Sequence, residues 1–149
     1  MIRANRVKHR PFSDFSFQQF LNEHKLMGAR CTACQGLFVP PRSLCPKCHG
    51  SSMTWEQVKG KGHLAAFTVI AIGPPAMFDA GYSRDNPYCC GVVELDEKAR
   101  LVARIEGVDT RNPAAISIGT PMQAVYSPQG GDADRETVLS FRPVEGAGP

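Results

Sequence analysis

The sequence of 149 residues contains no apolar run that approaches the roughly 18 residues needed to span a bilayer. Its N-terminus is basic, but residues 12–20 do not form the continuous apolar core of a secretion signal. We therefore expect a cytoplasmic protein with no membrane partner. Thiols stay reduced in that compartment, so paired cysteines indicate metal or redox chemistry rather than structural disulfides.

Signatures of the common catalytic machineries are also missing. The sequence has no GxSxG, HExxH, GxGxxG or Walker loop, which argues against a serine hydrolase, a zinc protease and a nucleotide-binding enzyme. His63 is the only histidine after residue 61, and no pattern places it beside Cys89 or Cys90. These adjacent cysteines point to opposite faces of a predicted strand, so we interpret them as small buried hydrophobic residues.

Acidic residues are scarce in the first part of the chain. Residues 1–61 contain ten Lys and Arg against three Asp and Glu, whereas residues 62–149 contain seven against eleven. The change in the balance of charge falls just after the cysteine segment. It indicates two modules with different surfaces, or simply an uneven solvated surface.

The apolar pattern predicts a mainly β protein with an N-terminal helix, a four-cysteine zinc ribbon and a five-stranded OB-fold barrel. The helix and its extended arm are assigned to residues 1–25, the ribbon to 26–59, the barrel to 60–143 and a disordered tail to 144–149. Barrel strands are predicted at 62–72, 88–95, 100–105, 122–126 and 138–142, with a helical turn at 112–119. A turn after the third of five short strands fits an OB fold, and an SH3-like barrel is the competing architecture.

The predicted helix has an unusual concentration of phenylalanine. Ser16 is the expected N-cap, with Gln19 as its capping-box partner, and the helix should end before Gly28. Four phenylalanines supply more apolar surface than one short helix needs, so they must pack on the rest of the chain or on a partner. The partner-interface candidates are Phe12, Phe15, Phe17 and Phe20.

Four of the six cysteines form two CxxC pairs that are ten residues apart, each followed two positions later by a glycine. The predicted metal ligands are Cys31, Cys34, Cys45 and Cys48. Four thiolates complete the tetrahedral shell of a structural Zn²⁺ and leave no position open for catalytic water. Iron, as in rubredoxin, is the runner-up metal, and a dithiol redox site fits this spacing poorly. We expect Gly36 and Gly50 to adopt positive φ beside the sulfurs, and His49 to be a surface residue.

A zinc ribbon followed by an OB barrel is also a nucleic-acid-binding architecture. The basic front half favours a single-stranded nucleic-acid binder, but aromatic residues make up only 8% of the chain and several cluster near the helix. No ladder of exposed aromatic residues for base stacking is apparent in the strands, so nucleic acid is the less favoured partner.

The order of motifs is more specific than the architecture. After the aromatic helix come Leu26-Met-Gly-Ala-Arg-Cys31, Phe38-Val-Pro-Pro-Arg42, Cys45-Pro-Lys-Cys48, Trp55-Glu-Gln-Val-Lys-Gly-Lys-Gly62 and Phe67-Thr-Val-Ile. Over residues 12–143 the chain resembles the acyl-CoA-associated rubredoxin-like zinc-ribbon plus OB-fold proteins, long catalogued as a domain of unknown function. Its knuckles read Cys-Gln-Gly and Cys-His-Gly, where that family more often has Cys-Gly directly.

This resemblance implies a non-catalytic subunit of a thiolase-type acyl-CoA enzyme in a hetero-oligomer, with two plus two as the expected stoichiometry. Such proteins accompany thiolases, synthases, hydratases or aldolases, including those of steroid or aromatic acyl-CoA degradation. They stabilise the catalytic subunit and help shape its acyl-CoA site, and a free acyl-CoA carrier is the other alternative. The candidates for contact with coenzyme A phosphates are Arg42, Lys47, Lys59 and Lys61.

Overall fold

The computed structural model describes residues 10–130 and 135–145. The predicted arm falls largely on residues 1–9, and most of the predicted tail falls on 146–149, so both lie outside the described residues. The elements, in chain order, are α1 (Asp14–Asn22), β1 (Leu26–Cys31), β2 (Leu37–Phe38), β3 (Met53–Val58), β4 (Lys61–Ile70), α2 (Pro75–Asp79), β5 (Tyr88–Leu95), β6 (Arg100–Ile105), a 3₁₀ turn (Pro113–Ala115), β7 (Pro121–Gln129) and β8 (Glu136–Pro143). No helix in the described part of the chain has the length and hydrophobicity that crossing a bilayer would need.

Helix α1 begins one turn earlier than the sequence pattern suggested. Its N-cap is Ser13, whose hydroxyl accepts a hydrogen bond from the Ser16 amide at 3.2 Å, and Ser16 itself is buried inside the helix. Asp14 then lies in the first turn, where a carboxylate is favoured by the helix dipole. The prediction of Ser16 as the cap was therefore wrong, because Ser13 offers the same hydroxyl with an acidic neighbour.

The buried face of α1 packs on the only tryptophan. The ring of Phe12 stacks on Trp55 at 4.7 Å between centroids, and Phe20 meets the same indole edge-on at 4.9 Å. The indole Nε1 donates a hydrogen bond to the carbonyl of Arg10 at 2.9 Å, and the guanidinium of Arg10 lies 4.2 Å from the centre of the Phe20 ring. This aromatic cluster holds the residues before the helix, the helix and β3 together.

The ribbon is a three-stranded antiparallel sheet in the order β2-β1-β3. Its strand β1 has five buried residues out of six and runs directly into Cys31. Gly28 is required within it, because a Cβ there would lie 2.7 Å from the Val39 side chain and 2.9 Å from the Phe38 carbonyl oxygen. The sheet thus delivers the first knuckle at the end of its central strand.

The remaining five strands close into a barrel in the order β4-β5-β6-β8-β7, with β7 returning to β4. The pairing of β6 with β8 is parallel, and those of β4 with β5 and β7 are antiparallel. This order is that of an OB fold. The predicted fold class is confirmed, and β5 and β6 have the predicted bounds. The barrel interior contains fully buried Leu64, Val93, Leu95, Met122 and Phe141.

Candidate metal centre

Two hydrogen-bonded turns of the same kind present the cysteines. In the first knuckle the Cys31 amide donates to the Gly36 carbonyl at 2.8 Å, and the Gln35 amide donates to the Cys31 carbonyl at 2.9 Å. The second knuckle repeats both bonds, from Cys45 to Gly50 at 2.8 Å and from His49 to Cys45 at 2.9 Å. The repeated CxxCxG pattern is therefore a repeated backbone conformation.

The residues with positive φ in these turns are not the glycines. Gln35 has φ of 64° and His49 has φ of 62°, whereas Gly36 and Gly50 are absent from the positive-φ residues. The prediction of positive φ at Gly36 and Gly50 was therefore wrong, because the preceding residue turns the chain in each knuckle. Close approach favours glycine at position 36, where a Cβ would lie 3.0 Å from the Phe38 ring, whereas a Cβ at Gly50 would make an ordinary contact with the Cys48 sulfur at 3.4 Å.

The four cysteine sulfurs converge on one point. All four lie within 4.8 Å of one another, with Cys31 to Cys48 at 3.6 Å and Cys34 to Cys45 at 3.5 Å. Metal–sulfur bonds of about 2.3 Å in a tetrahedron place sulfurs about 3.8 Å apart. These separations fit a single four-coordinate ion. In the described part of the chain no other set of three or more His, Cys, Asp or Glu side chains converges in this way.

Backbone amides stabilise negative charge on the sulfurs. The amide of Cys34 lowers the pKa of Cys31, and the amide of Cys48 lowers the pKa of Cys45. At Cys34 and Cys48 a glycine amide also favours the thiolate, but the neighbouring sulfurs and burial outweigh it and raise the pKa. Four thiolates this close repel one another, so a bound cation is needed to hold all four deprotonated.

Two family models match the chain in succession. The rubredoxin-like zinc ribbon domain of ChsH2 matches residues 19–54, and the C-terminal OB-fold domain of ChsH2 matches residues 55–127. Together they span well over half of the sequence. The chain belongs to the ChsH2 (DUF35) family. The resemblance inferred from the motifs is thereby confirmed.

Relatives of this DUF35 chain include scaffold proteins and enzyme subunits. A DUF35 domain-containing scaffold protein of Methanocaldococcus jannaschii is 29% identical over 135 residues, covering 87% of this chain and 89% of the relative. The benzoylsuccinyl-CoA thiolase subunit BbsA of Thauera aromatica is 33% identical over 82 residues, 55% of this chain and 52% of BbsA. A chain of the solved Ltp2-ChsH2(DUF35) aldolase aligns with a TM-score of 0.69 and 28% identity, over 90% of this chain and 98% of that one.

The four phenylalanines that the sequence proposed for a partner interface have different environments in the DUF35 chain. Phe20 is fully buried and Phe12 is partly buried, and both are covered by Trp55. Phe20 therefore cannot offer a surface to a partner, because its packing is completed within the chain. Phe17 is half-buried, whereas Phe15 leaves 73% of its surface exposed.

The four predicted cationic residues of the DUF35 chain are all exposed. Arg42 lies in the segment that connects the two knuckles, and Lys47 lies within the second knuckle. Lys59 and Lys61 flank Gly60 at the start of the barrel. The backbone amide of Lys59 donates a hydrogen bond to the Glu97 carboxylate at 2.9 Å. His49 is also exposed, as the sequence indicated.

Cys89 and Cys90 lie on β5, away from the sulfur cluster in sequence and outside the converging set. Cys89 is buried and Cys90 half-buried. Burial raises the pKa of both thiols, so neither is a ready nucleophile at neutral pH.

Arg30 of the DUF35 chain supports the first knuckle, and sequence reasoning missed this residue. Its Nη1 donates to the Gln35 carbonyl at 2.7 Å, while Nε and Nη2 form a bidentate pair with Glu56 at 3.2 and 2.6 Å. The arginine thus ties the first knuckle to β3. The only indication in the sequence was the position of Arg30 directly before Cys31, because Glu56 becomes a neighbour of Arg30 only when β1 pairs with β3.

We predict that Glu56→Gln weakens metal binding about tenfold, as expected when a group that orients a metal-binding turn is lost. Glutamine offers one acceptor to a guanidinium that now makes a bidentate pair, so Arg30 should hold the Gln35 carbonyl less firmly. Competition with a chelator measures the affinity. Glu23→Gln, which removes the ion pairs with Arg10 and Lys25, is the control. Equal affinities of both variants and the wild type would contradict the prediction.

Proposed function

We propose that this chain is a non-catalytic subunit of a thiolase-type acyl-CoA enzyme complex. It stabilises the catalytic subunit and helps shape its acyl-CoA site, while carbon–carbon bond cleavage or formation takes place on the partner. The supporting observation is the shared ribbon-and-barrel arrangement, since similar chains are a thiolase subunit and a component of an aldolase assembly.

The proposed metal is one structural Zn²⁺ per chain. The sulfur separations support a tetrahedral ion, and a shell of four thiolates has no position for water or substrate. Zinc in such a site contributes its binding free energy to folding of the ribbon. Iron would occupy the same four sulfurs but would give a coloured, redox-active protein, so colour and metal analysis separate the two.

The proposed contact with the catalytic subunit includes the exposed side of α1. Phe15 presents an apolar ring to solvent, with Phe17 half-buried on the same helix, and exposed aromatic side chains are enriched at protein interfaces. Lys59 and Lys61 are proposed to contact phosphates of coenzyme A, because both are exposed and lie two residues apart. Arg42 and Lys47, which the sequence proposed for the same role, lie in the cysteine segment, where we propose a contact with the catalytic subunit instead.

The test is a tagged pull-down from the native host, with mass spectrometry and metal analysis of the same eluate. We expect a thiolase-like protein in roughly equimolar amount, one zinc per chain, and a two-plus-two assembly by native mass spectrometry. RNA or DNA in place of an acyl-CoA enzyme would favour the nucleic-acid alternative. Full activity and stability of the catalytic subunit alone would contradict an essential accessory role.

A further inference from the structure

The cysteine segment of the ribbon, residues 31–50, contains two cationic residues and no acidic residue. Between Glu23 and Glu56 the sequence contains no Asp or Glu, while it contains Arg42 and Lys47. Both side chains are exposed, and within the described residues neither forms an ion pair or a side-chain hydrogen bond. Their charges are therefore available to a group outside the chain.

A recess of about 440 Å³ opens beside Arg42. Phe12, Leu44 and Pro46 supply apolar lining, and Arg42 and His49 supply polar lining. Leu44 leaves 59% of its surface exposed, whereas the wall at Phe12 is fixed by its stacking on Trp55. We call Phe12, Arg42, Leu44, Pro46 and His49 the knuckle recess, and Lys47 directly follows Pro46 in the chain.

The charge of the metal centre does not account for the exposed cations. A filled four-thiolate zinc centre has a formal charge of −2, but backbone amides already point at all four sulfurs. Neither Arg42 nor Lys47 contributes a side-chain hydrogen bond to a sulfur. An exposed leucine between two unpaired cations suits a ligand that is both apolar and anionic.

We propose that the knuckle recess binds a segment of the catalytic subunit in which an apolar side chain is flanked by Asp or Glu. The apolar side chain enters between Phe12 and Leu44, and the carboxylates pair with Arg42 and Lys47. A protein segment is favoured over nucleic acid because one face of the only phenyl ring that lines the recess, that of Phe12, is already stacked on Trp55. This inference rests on the proposed function, which supplies the catalytic subunit.

The test uses the complex of full-length chain and catalytic subunit obtained as described above. R42E/K47E should weaken the affinity at least tenfold, because attraction becomes repulsion at two contacts. R84E/R142E makes the same change in net charge at exposed barrel residues and should change the affinity less than threefold. Zero-length carbodiimide cross-linking of the wild-type complex should join Lys47 to a carboxylate of the catalytic subunit.

Several outcomes would overturn the inference while leaving the proposed function intact. These are equal losses of affinity in the two double variants, cross-links confined to other lysines, or loss of zinc from R42E/K47E, which would show that the cations serve the metal centre.

L44S keeps both charges and provides a second variant. It should weaken binding to the catalytic subunit without loss of zinc, and unchanged affinity would also overturn the inference. If the wild-type chain forms no complex, the proposed function fails and the inference fails with it.

Discussion

Replacement of Cys45 by serine is expected to abolish stoichiometric metal binding and to unfold the ribbon. Cys45 is almost fully buried in a small core with Ala29, Cys31 and Met53. The substitution therefore removes one of the four sulfur ligands and places a polar hydroxyl in this core. Structural zinc contributes on the order of 10 kcal/mol to the folding of small zinc peptides, which is comparable to the whole stability of a typical domain. Metal analysis and amide hydrogen exchange across β1, β2 and β3 measure the effect.

Cys90→Ser is the matched control, because it makes the same chemical change at a half-buried cysteine outside the sulfur cluster. We expect it to keep one metal per chain and wild-type exchange rates in the ribbon. A Cys45→Ser protein with one equivalent of tightly bound metal and a protected ribbon would show that three thiolates suffice.

Replacement of Gly62 by alanine is expected to destabilise the barrel by about 3 kcal/mol, at the upper end for overpacking. Gly62 is paired with Leu95 on one side and Met122 on the other, at the place where β4 joins both β5 and β7. A Cβ at this position would overlap the Glu94 carbonyl oxygen and come within 2.8 Å of the Leu95 Cα. Both obstacles are backbone atoms, so relief requires a strand to move. Chemical denaturation monitored by circular dichroism gives the free energy of unfolding.

Thr68→Ala, on the exposed part of the same strand, should cost less than about 1 kcal/mol, in keeping with surface substitutions. If Gly62→Ala and Thr68→Ala have the same free energy of unfolding, the close strand crossing does not constrain the barrel.

The strands and the cysteine cluster that depend on local sequence patterns could be predicted from the sequence. Alternation of apolar residues and the polar turn at 96–98 defined β5 and β6 with their bounds, and CxxC spacing alone identified the sulfur cluster. Contacts that depend on the pairing of distant segments could not be predicted. Nothing in the sequence indicates that Trp55 contacts Phe12 and Phe20, or that Arg30 pairs with Glu56. These contacts join residues that are far apart in sequence.

Two further errors came from ambiguous local chemistry. The loop after β4 contains the short helix α2, which begins at Pro75 and buries none of its residues, so no apolar periodicity revealed it. In the knuckles, positive φ falls on Gln35 and His49, one residue before each glycine. A glycine in a turn has two possible causes, backbone conformation and close approach, and the sequence does not distinguish them.

The stacking of Phe12 and Phe20 on Trp55 gives the chain an intrinsic optical probe. Trp55 is the only tryptophan, and the three tyrosines, Tyr82, Tyr88 and Tyr126, absorb more weakly and at shorter wavelengths than indole. Selective excitation of the indole therefore reports on α1 and β3, because release of its ring and its Nε1 hydrogen bond to water would shift the emission to longer wavelength. Stopped-flow mixing of metal-free protein with Zn²⁺ can follow assembly of this region in real time without any added label.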